Sequence, residues 1–196
     1  MAGHTAAAEI WIPDVRAAAW PGRLRPLRPS LRRALVLAAV AGALGCSTTL
    51  RLDGDRYHHE RRGYSIDRPD GDWRSVSVER SDLALRGEHG QLMSVSSRCR
   101  TPLASPEILA RHLRIGMAAH RLRVGAPVEV DGYPGWMQIF DARDDASFVR
   151  VKTVTGLVGI CVYDFVLVAQ HSFPASEAGF DAWWRSFRVT DAGETQ

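Results

Sequence analysis

From Tyr64 onward the chain alternates apolar and polar positions in short runs. Tyr64-Ser65-Ile66-Asp67 leads into Pro69-Asp70-Gly71, the form of a strand entering a turn. Trp73 to Val78 alternates again. Leu83-Ala84-Leu85-Arg86 and Leu92-Met93-Ser94-Val95 flank Glu88-His89-Gly90-Gln91, whose glycine and polar residues suit a hairpin turn, so this part reads as an antiparallel meander. Ser105-Pro106 then marks a helix start, because serine caps free backbone N–H groups and proline is tolerated in the first turn. Leu109, His112-Leu113, Gly116-Met117 and His120 recur at three- and four-residue steps, which predicts a helix to about Leu122 with one face against a sheet.

Strands return with Val128-Glu129-Val130 and Trp136 to Phe140, on either side of Asp131-Gly132, a strong hairpin signal. Phe148 to Thr155 is a further strand. Val158 to Ala169 is almost wholly apolar and predicts a central strand covered on both faces, with Asp164 its one acid. Phe180, Trp183, Trp184 and Phe187 stand at i, i+3, i+4 and i+7, so a last helix from about Ala175 to Phe187 carries an aromatic core stripe. The order β-β-β-β-α-β-β-β-β-α is that of an α+β domain, an antiparallel sheet of about seven or eight strands with helices packed against it.

Before Tyr64 the pattern is different. Arg32-Arg33 precede a run without charge, Ala34 to Gly45, that ends in small residues directly before Cys46. As a helix this run would be about 18 Å long, against roughly 30 Å of bilayer hydrocarbon, so it reads as an export signal and not as a span. Ala43-Leu44-Gly45-Cys46 resembles the bacterial lipoprotein signal, in which cleavage precedes the cysteine and lipid is attached to it; Ala43 departs from the usual leucine at that place. The resemblance implies lipidation at Cys46. Residues 1–30 are long and irregular for the charged start of a signal, as if the start had been assigned too early, with Leu27 as an alternative. The chain thus divides into a signal segment, 1–45; a lipidated polar tether, 46–62; the α+β domain, 63–190; and a polar tail, 191–196.

Charge follows this division. Residues 1–45 hold six arginines against Glu9 and Asp14, a balance of +4, which leaves −1 of the chain's +3 for the remainder. A near-neutral mature chain with no Lys/Arg cluster beyond Arg61-Arg62 has no electrostatic footprint for nucleic acid.

Tyr64-x-Ile66-x-x-Pro69, with Trp73 four residues on, resembles the opening of PsbP/Mog1-like domains, and the helix, strand pairs and aromatic C-terminal helix that follow resemble that α/β/α sandwich over about 63–189. More closely, the chain resembles small uncharacterised lipoproteins of Gram-negative bacteria. The resemblance implies a noncatalytic binding or assembly module, with no catalytic residue to carry over.

The residues themselves show no Walker loop, dinucleotide-binding glycine turn, HExxH pair or nucleophile elbow. His58-His59-Glu60 has metal-ligand chemistry but sits on a tether without preset geometry, and His112 and His120 would lie about 12 Å apart on one helix, too far for one ion. They read as core-edge histidines. No metal and no cofactor is therefore expected. Asp164 with His171 or His112 is the best acid–base pair for an enzyme, yet no serine or cysteine accompanies them. The structural alternative pairs Asp164 with Arg86, Arg150 or Lys152 on a neighbouring strand. With Cys46 committed to lipid, Cys99 and Cys161 remain in a compartment that permits disulfides, and a bridge between them would close a loop of about 60 residues. Two separately buried thiols are the alternative. The expected protein is a noncatalytic envelope lipoprotein, attached to the outer membrane through Cys46, facing the periplasm, and binding an envelope protein or a small apolar ligand. A small periplasmic hydrolase or metal-dependent enzyme, and an accessory to envelope lipid or small-molecule transport, are the alternatives.

Overall fold

A computed structural model describes residues 50–100, 104–115, 120–144, 147–170 and 172–190. Cys46, the signal segment, Gly116-Met117, His171 and the tail from 191 lie outside the described residues. A four-stranded sheet has the order β1-β2-β3-β11 and a seven-stranded sheet the order β4-β5-β6-β10-β9-β8-β7. The strands are β1 (Leu50–Asp53), β2 (Arg56–His59), β3 (Tyr64–Asp67), β4 (Arg74–Ser75), β5 (Leu83–Arg86), β6 (Leu92–Cys99), β7 (Arg121–Val130), β8 (Tyr133–Asp144), β9 (Ser147–Val158), β10 (Cys161–Ala169) and β11 (Arg188–Val189). The helices are α1 (Pro106–His112) and α2 (Phe173–Arg185). Every strand pairing is antiparallel.

Side chains alternate across a strand, so the register assigns each residue of the large sheet to a face. Tyr163, Phe165 and Leu167 of β10 share one face with Gly156, Val154 and Lys152 of β9 and with Ser97, Val95 and Met93 of β6. This face receives α2 and the small sheet. Phe165 meets Trp183 at 6.2 Å and Phe187 at 5.1 Å, both nearly edge to face, while Tyr64 of β3 meets Tyr163 at 5.7 Å. The aromatic residues expected to form one stripe, Phe180, Trp183, Trp184 and Phe187, are all buried, but α2 ends at Arg185, and Phe187 reaches the core from the chain beyond it. The opposite face carries Asp164, Val166 and Val168, with Thr155, Thr153 and Val151 beside them. Over it lies α1, held where the buried Gln138 Nε2 donates to the carbonyl of Ala110 at 2.6 Å.

Several expectations are met locally. Asp131 (φ 51°) and Gly132 (φ 80°) form the two-residue turn between β7 and β8, both in the left-handed region that a type I′ hairpin requires. Ser105 Oγ accepts from Ile108 N at the start of α1. Tyr64, Ile66 and Pro69 are buried, and Trp73 packs at the core margin.

Four expectations are corrected. Residues 50–62 are not a free tether: β1 and β2 pair with each other and β2 with β3, and a 3₁₀ turn over Glu60–Arg62 joins β2 to β3. Leu50 and Tyr57 pack at the margin of the core, so this polar-looking stretch does bury apolar surface. Consequently β3 belongs to the small sheet and the opening meander is β4-β5-β6. The first helix stops at His112, not Leu122, because Arg121–Val130 gains a ladder with β8, with Leu122 opposite Phe140. His112 and His120 are exposed and do not pack at a core edge. Finally, the apolar run Val158–Ala169 is broken by a turn at Gly159 (φ 55°) and Ile160; Val158 ends β9 and pairs with Cys161 of β10. From Cys161 on, β10 is the expected central strand, flanked by β6 and β9.

Candidate functional site

Asp164 is 5% exposed, with Ser96 and Thr155 directly opposite it on β6 and β9. The Thr155 hydroxyl donates to its Oδ1 at 2.7 Å, and the Arg98 guanidinium lies 3.9 Å from Oδ2. Burial pushes the carboxyl above the usual carboxylate range, and the Thr155 hydrogen bond and the Arg98 charge oppose that rise. The expected pairing with a neighbouring strand's cation thus holds in kind but not in partner. Lys152 and Arg150 stand on the other face of β9 by parity, while Arg86 shares the Asp164 face but pairs with Leu92, four positions along β6 from Ser96. His112 is exposed at the end of α1 and makes no hydrogen bond to Asp164, so the acid–base pair is not assembled by that histidine. Thr155 is itself fully buried, so its hydroxyl has no path to a substrate.

The displaced cations have their own partners. Lys152, buried beneath α2, places Nζ 2.8 Å from Glu177 and 2.8 Å from Asp181 of that helix. Arg150 hydrogen-bonds Asp141 across the β8–β9 ladder, where Arg123 also reaches the same carboxyl; the Arg150 bond foremost holds Asp141 below the usual range.

A second polar cluster sits where the small sheet meets the large one. His58 and His59 are adjacent on β2 and therefore face opposite ways, which separates the expected ligand pair. His59 is buried against Tyr64, its Nδ1 accepts from Arg62 N at 3.2 Å, and its Nε2 lies 3.9 Å from Asp82 Oδ1. Burial pushes the imidazole below its ordinary range against the pull of Asp82. Burial likewise raises both tyrosines: Tyr64 far above its usual range and Tyr163 to about 12. Tyr163 Oη donates to the carbonyl of Arg62 at 2.9 Å. The cluster pins the 3₁₀ turn, a role the sequence signals only as a His-Glu-Arg-Arg run.

Cys99 and Cys161 are joined, with Cα atoms 3.9 Å apart at directly opposed positions of β6 and β10. Among the described residues no three His, Cys, Asp or Glu side chains are grouped to hold a metal ion, and no helix is long and apolar enough to cross a membrane. Two open surface clefts have linings that are more polar than apolar. One of about 600 Å³ is lined by Asp55, Arg56, Asp67 and Arg68, and another of about 570 Å³ runs from Arg86 and His89 to Val149 and Val168.

Compared by sequence, the chain matches no family model and no curated protein. Compared by structure, it is similar to cyanobacterial PsbP (CyanoP) from Synechocystis sp. PCC 6803, with a TM-score of 0.52 and 16% identity over 76% of this chain and 96% of that one. LpqN, involved in cell envelope biogenesis of Mycobacterium tuberculosis, aligns with a TM-score of 0.53 and 12% identity over 65% and 84%. A protein from Bacteroides thetaiotaomicron VPI-5482 aligns with a TM-score of 0.53 and 10% identity over 74% and 52%. Identities this low speak to the fold alone. The two antiparallel sheets, the aromatic helix against one face and the short helix against the other give the described part of this chain a PsbP-like α+β fold.

Proposed function

We propose that the chain is a lipoprotein of the outer membrane, facing the periplasm through lipid on Cys46, whose domain works without catalysis as a binding or assembly module for another envelope protein. The observation that carries this reading is the state of Asp164. The best candidate for acid–base chemistry is buried, accepts its hydrogen bond from an inaccessible threonine, and lies 3.9 Å from an exposed arginine. Buried Lys152 likewise holds β9 to α2 through Glu177 and Asp181. Leu31 to Cys46 supplies the address, and Ser47 stands where an aspartate commonly retains such lipoproteins at the inner membrane. The involvement of LpqN, a protein of the same fold, in cell envelope biogenesis agrees with that address.

Cys46→Ser should abolish incorporation of labelled palmitate and release the domain from the membrane fraction; label on the variant would overturn the lipoprotein reading. Turnover of ester, phosphate or peptide substrates by the purified protein, lost in Asp164→Asn, would overturn the noncatalytic one.

A further inference from the structure

Only Ser47, Thr48 and Thr49 separate Cys46 from Leu50, the first residue of β1. Four Cα steps reach about 14 Å at full extension, so lipid on Cys46 would hold the start of β1 that close to the bilayer surface whatever path those residues take. What lies at that end of the small sheet is set by register. Leu50 is opposite His59, His59 is opposite Tyr64, and Tyr64 is opposite Val189, so the 3₁₀ turn Glu60–Arg62 stands at the same end as the anchor.

This turn is held firmly. His59 Nδ1 accepts from Arg62 N, Tyr163 Oη donates to the Arg62 carbonyl, and Gly63 closes the turn in the left-handed region (φ 61°) while its carbonyl accepts from Thr190 N at 2.8 Å. Two buried rings thus fix the backbone, and Arg61 is left exposed, with Arg51 exposed on the edge strand beside it. Arg51 also ion-pairs Asp53 farther along β1 at 3.4 Å; with Arg188 beside Asp131, the four arginines at this end outnumber Glu60, Asp82 and Asp131.

We infer that this end of the small sheet, the Arg61-Arg62 turn with Arg51, is a docking surface for the phospholipid headgroups of the membrane that carries the Cys46 lipid. The inference rests on lipidation at Cys46. Guanidinium groups on a rigid turn, kept within reach of the surface by a three-residue connection, meet anionic headgroups at high local concentration. The domain is thereby oriented, with the β1–β2 turn at Asp55 pointing away.

The test uses the full lipidated chain in vesicles of phosphatidylethanolamine and phosphatidylglycerol. With Cys46 lipidated and Cys99 bonded to Cys161, Glu60→Cys or Asp55→Cys provides a single thiol for a fluorophore and leaves all three arginines in place. The positions are separated by the length of β2, about 13 Å, so headgroup-labelled quencher lipid should quench at 60 at least about twofold more than at 55. Intact mass reads lipidation separately: an unmodified Cys46 removes the premise, whereas a lipidated chain quenched equally at both positions overturns the docking surface alone. Glu60→Cys chains that cross-link to one another without lipid quenching would assign the turn to a second copy of the chain and also overturn it.

Discussion

His59 joins a local role to a long-range one. Its Nδ1 caps the turn by accepting from Arg62 N, so the neutral tautomer is the one the fold uses, and burial pushes its pKa below the ordinary value of 6.5. The unfolded chain therefore takes up the proton first as pH falls. This contribution to stability is fully present above the ordinary imidazole range, and it declines as pH drops through that range until the folded-state pKa is passed. Urea midpoints measured from about pH 7.5 to 5.5, which spans the unfolded value, should fall more steeply for the native chain than for His59→Asn, whose amide oxygen can still cap the turn. Equal slopes would show that His59 is not the titrating group.

At the scale of elements, α2 is fastened to the large sheet by two kinds of contact. The aromatic stripe buries apolar surface, while Lys152 reaches from β9 to Glu177 and Asp181 one helical turn apart. The Lys152 side chain is 5% exposed, but Glu177 and Asp181 keep 33% and 24% of theirs. Lys152→Met leaves Glu177 and Asp181 facing each other without the ammonium between them, and Asp181 keeps Arg185 3.8 Å away. Truncating a fully buried pair costs about 3–5 kcal/mol, and the water these carboxylates retain reduces the expected loss to roughly 2 kcal/mol. Chemical denaturation should read that loss, and adding Glu177→Gln and Asp181→Asn should recover most of it. A single variant as stable as the native chain would mean that the aromatic contacts alone position α2.

For the whole molecule the decisive connection is the Cys99–Cys161 bond, 62 residues apart in sequence. It joins the end of β6 to the start of β10 and so ties the early strands to the central one. Constraining a loop of that size in the unfolded chain stabilises the fold by about 4 kcal/mol in the chain-entropy model. Reduction should therefore lower the denaturation midpoint substantially. Cys99→Ser with Cys161→Ser should reproduce the effect without reductant. Alkylation of two thiols in the unreduced native protein would refute the bond.

What could be read directly from the sequence was whatever a few neighbouring residues decide. Asp131-Gly132 makes its turn because both positions must take positive φ, Ser105 caps α1 because its hydroxyl reaches the third N–H beyond it, and Phe180, Trp183 and Trp184 are buried because helical spacing puts those rings on one side. The resemblance of Ala43 to Cys46 to a lipoprotein signal rests on a local pattern too, and it lies outside the described residues. Long-range pairing escaped such reading. That Arg98, and not Lys152 or Arg150, faces Asp164 follows from strand parity, which a one-residue shift of register would reverse. The polar run 50–59 forms strands because β3 offers it an edge, and Arg121 and Leu122 join β7 and not a helix because β8 supplies nine residues of that strand with a partner. Such choices depend on segments that meet only when the chain has folded, so tertiary structure alone decided them.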